Sequence, residues 1–111
     1  MAVTQSQSVQ PASVVNVAHG SYLTSSTAAA VTITTGFKPR YVKVINTDGS
    51  GDVMVEWFEG MTAGYGILTG IDGARSLITS LGITVSSSGF VIGLQTDLNV
   101  INEQMHWQAI G

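Results

Sequence analysis

Chemistry in this chain would have to come from a short roster of side chains. The histidines are His19 and His106. Neither has a second histidine at metal-ligand spacing and the chain has no cysteine, so a zinc site would need the two to meet in space with a carboxylate. On sequence alone they read as satisfied or solvent-facing. The segment Asn46-Thr47-Asp48-Gly49-Ser50-Gly51-Asp52 places oxygen ligands at its first, third and fifth positions and glycine at its sixth, as a calcium loop begins. Its twelfth position is Trp57 rather than a bidentate glutamate, and Asp and Gly are what a hairpin turn needs anyway. No Gly-x-Ser-x-Gly elbow occurs. No lysine follows Gly64-Tyr65-Gly66 to cradle a phosphate. Glu56 and Glu59 would face opposite sides of a strand, poor geometry for a carboxylate pair. The expectation is a protein that is not an enzyme, with no catalytic residue, metal or cofactor assigned.

Lys38, Arg40 and Lys43 are three of the four basic residues. Lys38 and Arg40 share parity across Pro39. They read either as a contact for an acidic partner surface or as a solvated strand start, with Pro39 marking an edge. Tyr65, inside a glycine-rich stretch, is the aromatic expected to be exposed and to anchor an interface.

Composition narrows the classes. A chain of 111 residues suits one domain with a real hydrophobic core. Only 10% of residues are charged, against roughly 25% in typical soluble domains, yet no apolar run approaches the roughly 20 residues of a membrane helix. Low charge without a span suggests a surface covered by neighbours. The formal charge of −3 argues against nucleic acid as a partner. The N-terminus lacks the charged and apolar regions of a signal peptide.

The elements that would position these residues are short strands. Gly36–Asn46 and Val53–Met61 flank a turn-rich loop and read as a β-hairpin. In its first arm Tyr41, Lys43 and Ile45 share one face, and Val42, Val44 and Asn46 the other. In its second arm the apolar set Val53, Val55 and Trp57 is the core candidate. Val14–Ala18 and Ala29–Thr34 are further strand candidates, with a loop from Ser21 to Thr27. Gly60–Gly73, with five glycines in 14 residues, reads as an irregular surface loop. Arg75–Ser80, Gly82–Ser86, Gly89–Leu94 and Gln104–Ile110 follow as strands, with Asp97–Asn102 a short strand or a 3₁₀ turn. Trp57, Trp107, Val55 and Phe90 are expected in the core. Residues 1–13 are polar and aperiodic and read as a flexible arm, leaving 14–111 as one domain. The class is all-β: an antiparallel, jelly-roll-like β-sandwich of about seven to nine short strands.

The hairpin Gly36-Phe37-Lys38-Pro39-Arg40-Tyr41-Val42-Lys43-Val44-Ile45-Asn46 with Glu56-Trp57-Phe58-Glu59-Gly60-Met61 carries a resemblance. So do Gly82-Ile83-Thr84-Val85, Gly89-Phe90-Val91-Ile92-Gly93, Leu98-Asn99 and His106-Trp107-Gln108-Ala109. Together, over roughly residue 34 to the C-terminus, they resemble small virion proteins of tailed bacteriophages, of the capsid cement or decoration type. The resemblance implies a β-sandwich on the outer capsid surface that stabilises the head. It implies the major capsid protein as partner and a homo-oligomer, trimer or dimer, with no nucleic acid and no membrane involved. Tyr65, Lys38 and Arg40 are the interface candidates, with Gln10 and Ser13 in the arm. The alternative is a tail-fibre or host-recognition module that binds glycans.

Overall fold

The computed structural model describes residues 15–48, 53–95 and 98–111. Strict alternation is its organising pattern. Along Tyr41–Asn46 every second side chain, Val42, Val44 and Asn46, is fully buried, and the intervening ones are only half-buried. Such a period of two is what a strand covered on one face produces. The described residues form nine strands and no helix: β1 (Val17–Leu23), β2 (Val31–Thr34), β3 (Tyr41–Asn46), β4 (Met54–Phe58), β5 (Gly66–Thr69), β6 (Arg75–Ile78), β7 (Ile83–Ser86), β8 (Gly89–Ile92) and β9 (Gln104–Ile110). No helix is long and apolar enough to cross a membrane.

The strands pair antiparallel in two sheets, one of six strands in the order β1-β9-β3-β4-β5-β6 and one of three in the order β2-β8-β7. The pairs β1–β9, β9–β3 and β2–β8 join the early and late parts of the chain. The run β3 to β6 then continues as a meander within the large sheet, which makes the division six and three.

The core lies between the sheets. Val42, Val44, Val55, Trp57, Met105 and Ala109 of the large sheet meet Ile83, Phe90 and Ile92 of the small one, with Leu98 closing one side. The Trp57 indole N–H donates to the Thr62 carbonyl at 3.4 Å, so its polar atom is not stranded. Trp107 is half-buried rather than fully enclosed. Its ring meets Phe90 edge-on, with centroids 5.5 Å apart, and bridges the two sheets. The ring also lies across Gly20, its cross-strand partner, where a Cβ would come within 2.8 Å of the indole.

Several elements differ from the sequence expectation. β1 begins at Val17, not Val14, and runs through Ser21 and Tyr22, because pairing with β9 outweighs the β-branched preference of the preceding residues. The Gly60–Gly73 stretch is not one irregular loop: Gly66–Thr69 is β5. Gly66 is tolerated there because Val55 fills the space a side chain would take, its Cγ1 being 2.6 Å from where a Cβ would sit. Residues 98–102 are bends and turns rather than a strand or a 3₁₀ turn. The expected arm, residues 1–13, lies outside the described residues, as does the centre of the calcium-like loop.

Trp57→Ala should destabilise the protein by about 3–5 kcal/mol in urea unfolding. Gly20→Ala should cost about 1–3 kcal/mol by overpacking against Trp107 and shift the tryptophan emission, whereas Ser21→Ala beside it should leave both readings unchanged.

Candidate functional site: the outer face of the large sheet

Register assigns the residues on the uncovered side. Tyr41, Lys43 and Ile45 of β3 alternate with the buried set and so point away from the small sheet. Beside them on β9 stand Ile110, Gln108 and His106, and on β4 Phe58, Glu56 and Met54. The same face continues through Ile67 and Thr69 of β5 to Leu77 and Arg75 of β6. On the other flank it ends with Val17, His19, Ser21 and Leu23 of β1. Every strand of this sheet therefore places at least one apolar side chain outward. Leu23, Leu77, Val17 and Phe58 are 67%, 60%, 52% and 46% exposed. Scattered exposed apolar residues are ordinary, but here they stand on β1, β4 and β6 of one sheet face, with half-buried Ile45, Ile67 and Ile110 on the strands between them.

Two polar features punctuate this face. The Tyr41 ring packs on Phe58 with centroids 5.2 Å apart at 62°, and its hydroxyl donates to Glu56 Oε2 at 2.6 Å. Burial, the hydrogen bond to Glu56 and the charge of Glu56 all raise the Tyr41 pKa. Nearby, a shallow hollow of about 140 Å³ is lined by Lys43, Ile45, His106, Trp107 and Gln108.

A second cleft, about 290 Å³, opens where β1 runs toward β2, with Tyr22, Thr24, Ser25 and Asn99 among its lining. Its polar groups are engaged within the protein. The Tyr22 hydroxyl donates to Asn99 Oδ1 at 2.5 Å. Asn99 Nδ2 donates to the carbonyls of Ile92 and Gly93 at 3.0 and 3.2 Å. The Thr24 hydroxyl contacts the Val100 carbonyl and accepts the Glu103 N–H at 2.8 Å. This network ties the 98–103 segment to β1. It is a structural clasp, and burial within it raises the Tyr22 pKa.

The basic trio does not form one cluster. Lys38 is exposed before β3, Arg40 Nε lies 3.8 Å from Glu59 Oε2, and Lys43 sits on the outer face. The Arg40–Glu59 pair is partly solvated and contributes little to stability. Tyr65 is half-buried rather than exposed. Its N–H donates to the Thr62 carbonyl and its own carbonyl accepts the Ile83 N–H, both at 3.1 Å, which pins the turn to β7. Gln10 and Ser13 lie outside the described residues. Val55, Trp57 and Phe90 are buried in the core. Asn46 is also buried and spends its side chain on Glu103 at 3.1 Å and on the Asp48 N–H at 2.9 Å, as a turn residue does. Among the described residues no group of three or more His, Cys, Asp or Glu side chains could hold a metal ion. The outward set Ile45, Phe58 and Leu77 was not singled out from the sequence, although the parity that marks Val42, Val44, Val55 and Trp57 as inward already implies the first two.

No family model, no curated protein and no solved structure matches this chain.

Tyr22 and Tyr41 both have pKa values raised above the ordinary 10.0 in the folded protein. The folded state holds their protons more tightly than the unfolded chain, so this stability is complete below pH 10 and is lost as pH rises toward the folded values. The urea midpoint should be insensitive to these groups up to about pH 9 and fall steeply by about pH 11.5, and Tyr22→Phe should flatten that fall.

Proposed function

We propose that this chain is a structural virion protein of the capsid cement type, bound to the outer surface of a phage head and acting by contact alone. One observation carries the reading: among the described residues no strand packs on the outer face of the six-stranded sheet, and each of its strands turns an apolar residue to that side. A protein that staples a shell needs a broad, shape-complementary face repeated in many copies, and repetition multiplies modest single contacts. The β-meander supplies a stiff face of that kind. The low charge of the chain, 10% of residues, also suits a surface that neighbours cover. The resemblance of the hairpin and closing strand to phage decoration proteins gives the partner, the major capsid protein, and an oligomeric form.

Leu23→Glu and Leu77→Glu test the face directly. Both side chains are exposed in the free protein, so thermal stability should change little, while burying a carboxylate at a contact should weaken binding to heads by at least about tenfold. Heads lacking the protein should release DNA at lower temperature, and adding it back should restore them. Unchanged head binding by both variants, or a copy number in virions like that of a tail component, would overturn the assignment, the latter in favour of a tail-fibre role.

A further inference from the structure

His19 and His106 stand on one diagonal of the outer face, across the β1–β9 pair. Asn16 and Gly111 exchange both backbone hydrogen bonds, at 3.3 and 2.8 Å, and the Thr24 N–H donates to the Glu103 carbonyl at 3.0 Å. Counting inward from these rungs, His19–Gln108 and Ser21–His106 are pairs of the non-hydrogen-bonded kind, in which opposing side chains stand closest. His19 and His106 form one diagonal across those rungs. Tyr41 and Glu56 form the same diagonal across the equivalent rungs of β3 and β4, and their side chains touch at 2.6 Å. Strand twist brings the same diagonal together in each such pair.

The hydrogen bonding of His106 adds a second, independent feature. The Thr47 hydroxyl lies 3.2 Å from the Gln104 carbonyl and 3.0 Å from His106 Nδ1, and has one proton for the two; we direct it to the carbonyl. Its oxygen is then an acceptor for His106 Nδ1–H, at 3.0 Å. With that arrangement the neutral imidazole carries its proton on Nδ1, and Nε2 is the nitrogen that coordinates. Holding one ring nitrogen by a hydrogen bond so that the other can coordinate is how metal-binding histidines are oriented.

We propose that His19 and His106, with water in place of the carboxylate that a closed zinc site would add, bind a divalent late transition-metal ion (zinc, nickel or copper) on the outer face. Imidazole nitrogen suits these ions, and the two rings supply two ligands. Both side chains are exposed, so the ion keeps water in its remaining positions. Ser21 and Gln108 occupy the other corners of the two rungs and offer oxygen atoms to those waters. The nearest cation on the face, Lys43, lies one strand away opposite Gln108 and is itself faced by Glu56. The site depends only on the exposed β1–β9 surface, not on any capsid role.

Calorimetric titration of the full chain with Zn²⁺, and separately with Ni²⁺, in a non-chelating buffer tests this. The expected result is saturable binding of about one equivalent, weakened at least about tenfold by His19→Ala and by His106→Ala, with unchanged circular dichroism. Thr47→Val should weaken it by about tenfold and Thr47→Ser should restore it. Absence of saturable binding in the wild type, or equal binding by both histidine variants, would overturn the proposal.

Discussion

The insertion of β9 between β1 and β3 is the constraint on which the rest depends. Among the described residues β1 is bonded to the sheet only through β9, so without that strand the large sheet loses a flank as well as its own seven residues. The same strand supplies Met105 and Ala109 to the core, and its Trp107 reaches Phe90 in the opposite sheet. Its intervening residues, His106, Gln108 and Ile110, build the outer face. One strand therefore carries sheet closure, sheet packing and the exposed surface together. Its partners are far away in sequence, so the chain must close long loops before this strand contributes anything, as sheets with non-local pairing do.

Close backbone approach holds the small sheet together and joins it to the large one. At Gly89 a Cβ would lie 2.0 Å from the Ile33 carbonyl oxygen, so β8 lies against β2 only as glycine. At Gly82 a Cβ would lie 2.4 Å from the carbonyl oxygen of Tyr65. There the Gly64 and Ile83 backbones bond at 2.9 Å, joining the start of β5 to the start of β7. These contacts form the corner at which one sheet passes into the other. The Tyr22–Asn99 clasp performs the equivalent task near β1, with Asn99 held at a positive φ of 50° so that its amide can reach two carbonyls.

The parity of β3, β4 and β9 was legible because each has an apolar and a more polar set that alternate, and a covered strand leaves that imprint. β5 was not legible, because Gly64, Gly66 and Gly70 read as loop formers while Gly66 serves as space for Val55. The start of β1 was misplaced because its partner, not its own residues, sets its limits. Gly20 carries no signal of its own in the sequence and is the bed of the Trp107 ring. Asn99, expected only as part of a short strand or a 3₁₀ turn, is a buried clasp. The outer face was half legible: the alternation gives its parity, but only the sheet order assembles six separate strands into one surface. The diagonal placement of His19 and His106 depends on the β1–β9 register, which no local pattern encodes.

The alternation has an evolutionary consequence. Successive residues of β3, β4 and β9 answer to different pressures, one to the interior and the next to whatever lies outside. Substitutions at the outward positions leave the interior untouched, so this lineage can drift from one binding surface to another while its fold stays constant. Sequence comparison among descendants should then lose the outward residues first, and relatives would be recognised by a skeleton of every second residue.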